Sequence, residues 1–292
     1  MPQLITVGQI IDQSWEHYRN RFHEIIKVSA WLFLPGLISA FALAFYPSAS
    51  AMLSNQTKSY SEIASLGLWS FNNTIIAPII GLWVFIMLIL FFSADWENKK
   101  ITFKNLTKQA WKLFLPVVLV NFLVSLILVG TWLLLAPGLA INWLGSLVDS
   151  GLLAGAGAII LIVGLVISLI LSIRWIIEFA FAPYLLIIKN FRGKKALIGG
   201  RELVKGRLFS VLVRLILPKL VFIIVIIAAQ GVLSYILNYS IFTIAGLNTD
   251  LIAKLNTISS TLLVVLASVL GTPILVLADF IIFDNLEKTL KK

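Results

Sequence analysis

The segment from Ala158 to Ile173 carries no charge and is apolar on every face, and runs like it recur along the whole chain. A membrane β-strand alternates lipid-facing and lumen-facing residues, so unbroken runs exclude a barrel. They leave helices, which satisfy their own backbone polar groups. A bilayer core about 30 Å thick takes roughly 20 apolar residues per helix. Six segments reach that length: about Ile25 to Tyr46, Thr74 to Ala94, Leu113 to Ala136, Leu153 to beyond Arg174, Leu208 to Leu237 and Ile258 to Ala278. Composition agrees, with 60% hydrophobic and 12% charged residues, where a soluble domain has about 45–50% and about 25%. A soluble enzyme, a disordered chain and a nucleic-acid-binding domain are thereby excluded, despite a net charge of +10. There is no cysteine, and His17 and His23 are too few for a His-rich metal site. Neither a metal nor another cofactor is expected. Residues 5–21 are polar and periodic, so they do not read as a cleavable signal peptide. The expected fold is all-α: a single membrane domain over 1–292, built as a polytopic bundle of six transmembrane helices.

The basic residues set an orientation. Six spans put both termini on one side. That side receives Arg19, Arg21, Lys27, the Lys99–Lys112 group, the Lys189–Arg207 group, Lys288, Lys291 and Lys292, while the opposite loops hold only Lys58 and Lys254. The positive-inside rule then predicts a cytoplasmic (inner) membrane protein with both termini in the cytoplasm. The same excess points to anionic lipid on the inner surface, at about 1 kcal/mol per well-placed basic residue.

Before each odd-numbered span lies a segment with helical amphipathicity. In the first, Leu4, Val7, Ile11, Trp15, Tyr18 and Phe22 oppose Gln9, Asp12, Gln13, Glu16 and Asn20. In the second, Phe103, Leu106, Ala110 and Leu113 face away from Lys104, Lys108 and Lys112. In the third, Leu197, Val204, Leu208 and Val211 oppose Glu202, Lys205 and their basic neighbours. Such segments are expected to lie in the headgroup plane, apolar face down. The candidate anionic-lipid contacts are Lys104, Lys108, Lys112, Lys194, Lys195, Arg201, Lys205 and Arg207.

Short patterns recur too. The odd spans are entered by Leu32-Phe33-Leu34-Pro35, Leu113-Phe114-Leu115-Pro116 and Leu215-Ile216-Leu217-Pro218. Two even spans close with Ala94-Asp95-Trp96 and Ala278-Asp279-Phe280, and Ile173-Arg174-Trp175 stands at the equivalent place. These predict an interfacial helix plus a transmembrane hairpin, three times, over 1–98, 99–190 and 191–292. Leu-rich chains also repeat Leu-x-Leu without common descent, so unit order is the firmer expectation.

Arg174 and Glu178 stand four apart, on one helix face. Counted from Leu153, Arg174 lies about 32 Å along its helix, at the membrane boundary. The pair reads either as a structural ion pair or as part of a pocket with Asp279 and Asp284. The apolar stretch from Trp175 to Ile188, with Pro183 inside it, must protrude, kink along the interface or pack beneath the other helices. Gly151, Gly155, Gly157 and Gly164 predict close helix contact. Asn55-Gln56-Thr57 and Asn72-Asn73-Thr74 match the glycosylation pattern, a short and common match. No P-loop, G-x-S-x-G or H-E-x-x-H motif occurs, so no enzyme activity is expected.

The stretch Arg174-x-x-x-Glu178-x-x-x-x-Pro183, then Gly193-Lys194-Lys195-Ala196-Leu197 and Glu202-Leu203-Val204-Lys205-Gly206-Arg207, resembles a bacterial membrane-protein group. That group includes the membrane domain of glycerophosphoryl diester phosphodiesterase and related six-span families. The opening Thr6-Val7-Gly8-Gln9-Ile10-Ile11 is similar to their amphipathic start. In the phosphodiesterase, catalysis belongs to a separate soluble barrel with histidine and carboxylate metal chemistry, of which nothing is found here. The resemblance therefore implies a membrane module, without hydrolase activity. Gly200 or Arg201 stands where the group often has a serine, which weakens any role proposed for that hydroxyl. Two functions are expected from these readings. One is a non-catalytic membrane protein whose basic inner surface contacts lipids or partner proteins. The other is a small transporter or lipid-translocating protein using a pocket near Arg174 and Glu178.

Overall fold

A computed structural model describes residues 4–45, 59–246 and 248–290. The Asn55–Thr57 pattern, Lys58, Lys291 and Lys292 lie outside the described residues. Every regular element among those described is helical. Helix α1 (Val7–Asn20) begins at a capping box in which Thr6 and Gln9 each satisfy the other's backbone N–H. After it come α2 (Phe22–Ser29), a 3-10 turn (Ala30–Leu32) and α3 (Phe33–Ala44). Helix α4 (Tyr60–Phe71), a π turn (Asn72–Ile76) and α5 (Ala77–Trp96) form the second span, and α6 (Phe103–Trp132), a 3-10 turn (Leu133–Leu135) and α7 (Ala136–Leu147) the third. Then follow α8 (Gly151–Phe179), α9 (Ala182–Lys189), α10 (Lys194–Val204), α11 (Leu208–Ala245) and α12 (Thr249–Leu290). Six helical stretches are long and apolar enough to cross a membrane, so this is a multi-pass, all-α membrane protein.

The spans are longer than hydropathy alone suggests. α11 has 38 residues and α12 has 42, where about 20 suffice to cross. Polar ends continue the backbone hydrogen bonding and extend each helix past its apolar centre. The second amphipathic segment differs from expectation for the same reason: it is the first three turns of the 30-residue α6, with no break before the span. The first and third are separate helices, ended at Arg21 and at the Lys205–Gly206–Arg207 turn, where Gly206 has φ +75°. Leu208 and Val211 thus belong to the fifth span.

The chain packs as two units, one mainly of residues 112–213 and 283–290, the other of 5–111 and 214–282. In the first, α7 and α8 lie against each other on glycines. A Cβ on Gly138 would meet the backbone of Leu161 at 2.5 Å, on Gly145 that of Ala154 at 2.4 Å, and on Gly157 that of Asn142 at 2.3 Å. Gly164 sits equally tight on the carbonyl of Leu134 at 2.7 Å, while Gly151 and Gly155 face open space. A hydrogen bond from Asn142 Nδ2 to the Ala154 carbonyl (3.1 Å) locks the pair, and Ser168 Oγ ties α8 to the Thr131 carbonyl of α6 (2.8 Å). The two-and-two, seven-residue spacing of Gly138/Gly145 and Gly157/Gly164 places a small residue at each successive crossing of the two helices.

Helix α8 runs on past Arg174 to Phe179, and the chain does not kink at Pro183. It turns at Ala180–Phe181, and Pro183 falls in the first turn of α9, where its missing N–H costs nothing. Ala182, Tyr184, Leu185, Leu186 and Ile187 are buried, and Phe181, Tyr184 and Phe283 form a ring cluster. This apolar stretch therefore fills a protein core.

In the second unit, the half of α5 from Trp83 to Phe92 holds all seven of its buried residues. Helix α1 docks through Ile10, Ser14 and Tyr18, while Trp15 and Phe22 remain 54% and 46% exposed. The single apolar stripe expected of α1 is thus split into a protein-facing and an outward-facing part. The Tyr18 hydroxyl donates to the Leu270 carbonyl (2.9 Å) and Arg214 Nε to that of Ile5 (2.6 Å), which clamps the helix near both ends.

Candidate functional site

Glu178, near the end of α8, is the most buried carboxylate among the described residues, at 5% exposure. Arg174 Nε donates to its Oε1 at 2.8 Å, as the i, i+4 spacing requires. Its other oxygen lies 3.4 Å from Arg201 Nε, on α10. That approach is possible because residue 200 is glycine: a Cβ there would lie 3.0 Å from the Glu178 carbonyl. The Arg174 and Arg201 side chains remain 48% and 62% exposed. Two half-hydrated guanidinium groups therefore share one buried acid, and the trio carries a net positive charge toward solvent.

Asp284 pairs with Lys288 at 2.6 Å and Glu287 with Lys189 at 2.7 Å. Asp279 pairs with Lys219 at 2.8 Å. The Arg174–Glu178 pair forms as expected, with Arg201 added, while Asp279 and Asp284 each have a cation of their own. Lys219 escaped the sequence reading because one charge beside Pro218 barely alters the hydropathy of a 38-residue helix.

Asp95, at the end of α5, is gripped by the guanidinium fork of Arg21, with Nη2 2.9 Å from Oδ1 and Nε 3.2 Å from Oδ2. His17 Nε2 lies 3.2 Å from Oδ2 without hydrogen-bond alignment. Burial lowers the His17 pKa below its usual 6.5; the attraction of Asp95 opposes this, and Arg21 assists it. Burial also raises the Tyr18 hydroxyl to about 12, so it stays a donor. The repeated Ala-Asp-Trp and Ala-Asp-Phe endings meet in space: the Trp96 and Phe280 rings are 5.8 Å apart, each one residue beyond a paired aspartate.

Two sets stand out among the basic residues, and Lys99, paired with Glu97, belongs with the first. Arg21, Arg174, Lys189, Arg201, Lys219 and Lys288 are each bound to an acid. Lys104, Lys108, Lys112, Lys194, Lys195 and Lys205 are exposed and make no ion pair among the described residues. On α10 the division is by face: Ala196, Leu197, Gly200, Leu203 and Val204 pack inward, with Lys194, Lys195 and Arg201 outward. Arg207 is half-buried and donates from Nη1 to Thr289 Oγ1 at 2.8 Å. No group of three or more His, Cys, Asp or Glu is placed to hold a metal among the described residues. No family model, curated protein or solved structure matches the chain.

Proposed function

We propose that this multi-pass protein is a non-catalytic component of the cytoplasmic membrane, both termini inside, whose basic inner surface holds anionic phospholipid headgroups. The observation that carries this reading is the division of the cations. The boundary acids Asp95, Glu178, Asp279, Asp284 and Glu287 each have a basic partner. Six lysines on α6, α10 and the turn after α10 are exposed and unpaired among the described residues. An unpaired lysine at a headgroup plane gains about 1 kcal/mol from an anionic leaflet. Three on or beside α10 sum to about 3 kcal/mol, about a hundredfold in partition. The resemblance to the phosphodiesterase membrane domain implies a membrane module without hydrolase activity, which is compatible with this reading. A competing transport path beside Arg174 and Glu178 is less favoured, because both Glu178 oxygens are already held by arginines.

The test is lipid selectivity of the purified chain in nanodiscs of phosphatidylglycerol and phosphatidylcholine with identical acyl chains. Phosphatidylglycerol should be retained preferentially at about 0.1 M salt. The preference should collapse near 1 M, where the screening length falls from about 10 Å to about 3 Å. Equal retention of both lipids at low salt overturns the proposal.

A further inference from the structure

A second site is suggested independently of the basic surface. Within the 5–111 and 214–282 unit, α3, the π turn and α12 border an open-mouthed cavity of about 410 Å³. Asn72 lies about 35 Å along its helical run from Asp95, and Ser268 about 16 Å along α12 from Asp279. The cavity therefore sits in the half of the span away from those two acids. Its polar lining is Ser39, Asn72, Asn73, Ser260, Thr261 and Ser268, and Trp69 adds an aromatic wall. Among the described residues, no Asp, Glu, Lys, Arg or His lines it.

Polar side chains inside a span are costly unless they find partners, and six of them gather on this one cavity. The local geometry is also specialised. The π turn at Asn72–Ile76 interrupts an otherwise α-helical run, and such turns cluster at functional sites. Gly36 lets α3 approach α12 so closely that a Cβ would meet Val265 at 2.3 Å. Asn72 is fully buried, and its Nδ2 donates to the Pro35 carbonyl (2.8 Å) and to Ser39 Oγ (2.7 Å). Because a carbonyl only accepts, this fixes the amide orientation and leaves Oδ1 as a buried acceptor with no donor. The hydroxyls are biased the same way. Ser260 and Thr261 donate to the Thr257 carbonyl and Ser268 to that of Val264, so their lone pairs are what remain for a ligand.

An acceptor-rich, uncharged cavity selects its ligand by elimination. Among the described residues, the lining offers an anion no cation and a cation no carboxylate to offset its desolvation. A group with several O–H donors and no charge matches the lining, and the Trp69 ring suits the apolar face of a sugar ring. We infer that the cavity bounded by Pro35, the Asn72 π turn and the 260–268 face of α12 binds an uncharged polyhydroxyl group of the hexose type, carried by a membrane lipid or free in solution.

The test uses the full chain in phosphatidylcholine nanodiscs doped with a glucosyl diacylglycerol of the same acyl chains, with bound lipid counted by native mass spectrometry. The glucosyl lipid should be retained over phosphatidylcholine. Thr261→Val and Ser268→Ala, which leave the helix backbone intact, should each weaken retention about three- to tenfold, and Asn72→Leu at least as much. Lys194→Gln should leave it unchanged, which separates this site from the basic surface. Displacement by free glucose identifies a soluble ligand, and resistance to displacement a lipid-borne one; both support the site. Equal retention of the two lipids with no thermal shift from glucose means the cavity holds water only and overturns the inference. So does a glucosyl-lipid preference that survives all three substitutions.

Discussion

Removing Arg174 should damage this protein more than removing the acid it serves. Glu178 is 5% exposed, whereas the Arg174 and Arg201 side chains are 48% and 62% exposed. Arg174→Ala strands a buried carboxylate with one cation at 3.4 Å. Breaking a buried pair costs about 3–5 kcal/mol, and the surviving Arg201 sets the loss near the lower end, about 3 kcal/mol. Glu178→Gln instead leaves two guanidinium groups that water already reaches, and the amide oxygen still accepts a hydrogen bond. Discounted for that exposure, its cost is about 1 kcal/mol. Combining the two changes removes the orphaned charge, so the double variant should be about 2 kcal/mol more stable than Arg174→Ala alone. Reversible unfolding in mixed detergent micelles, followed by far-UV circular dichroism, measures all three variants in one cycle. A Glu178→Gln loss equal to or above that of Arg174→Ala, or simple additivity, would refute the reasoning.

Further predictions follow from the same geometry. Gly157→Ala puts a Cβ 2.3 Å from the Asn142 backbone nitrogen, so α7 and α8 must part and unfolding should show a loss of about 2 kcal/mol. Gly155→Ala meets nothing within 4 Å and should be neutral or stabilising by up to about 1 kcal/mol; equal effects at both sites contradict the glycine contact. Because the His17 pKa is lowered in the fold, the unfolded chain binds the proton first. The His17 contribution is therefore complete above about pH 6.5 and lost as pH falls below it. The unfolding midpoint should drop over that window and do so less in His17→Gln; a midpoint that rises on acidification opposes the assignment. The chain lacks cysteine, so Asp149→Cys and Asp250→Cys should react with an impermeant thiol reagent from outside only, and Lys100→Cys from inside only. The reverse pattern inverts the topology.

Membrane class and span number were readable from the chain because partition into lipid is decided locally, over about 20 residues. The Arg174–Glu178 pair was readable for a related reason, since four residues bring two side chains to one helix face. Arg21 with Asp95 and Lys219 with Asp279 were not, because their separations follow no helical period and depend on which helices pack. Helix ends were also obscure. Nothing in Lys104, Lys108 and Lys112 distinguishes a separate interfacial helix from the first turns of α6, since both present a charged face. The glycine contacts were half visible: Gly157 and Gly164 stand out in an apolar run, whereas Gly138 and Gly145 acquire meaning only when α7 folds back on α8. Asn72 matched a glycosylation pattern, yet the structure buries it completely and commits its amide to Pro35 and Ser39. A three-residue pattern carries no information about burial.

On the proposed function, paired basic residues hold the fold while unpaired ones hold lipid. The most direct measurement compares two charge-removal variants in the same nanodiscs, reading retained phosphatidylglycerol and unfolding midpoint together. Lys194→Gln, Lys195→Gln and Lys205→Gln combined should cut anionic-lipid retention by one to two orders of magnitude, at about 1 kcal/mol per lysine, with the midpoint unchanged. Arg21→Gln with Lys219→Gln should lower the midpoint and leave lipid selectivity intact. Retention that is untouched by losing the three lysines, or that falls equally in both variants, contradicts the account.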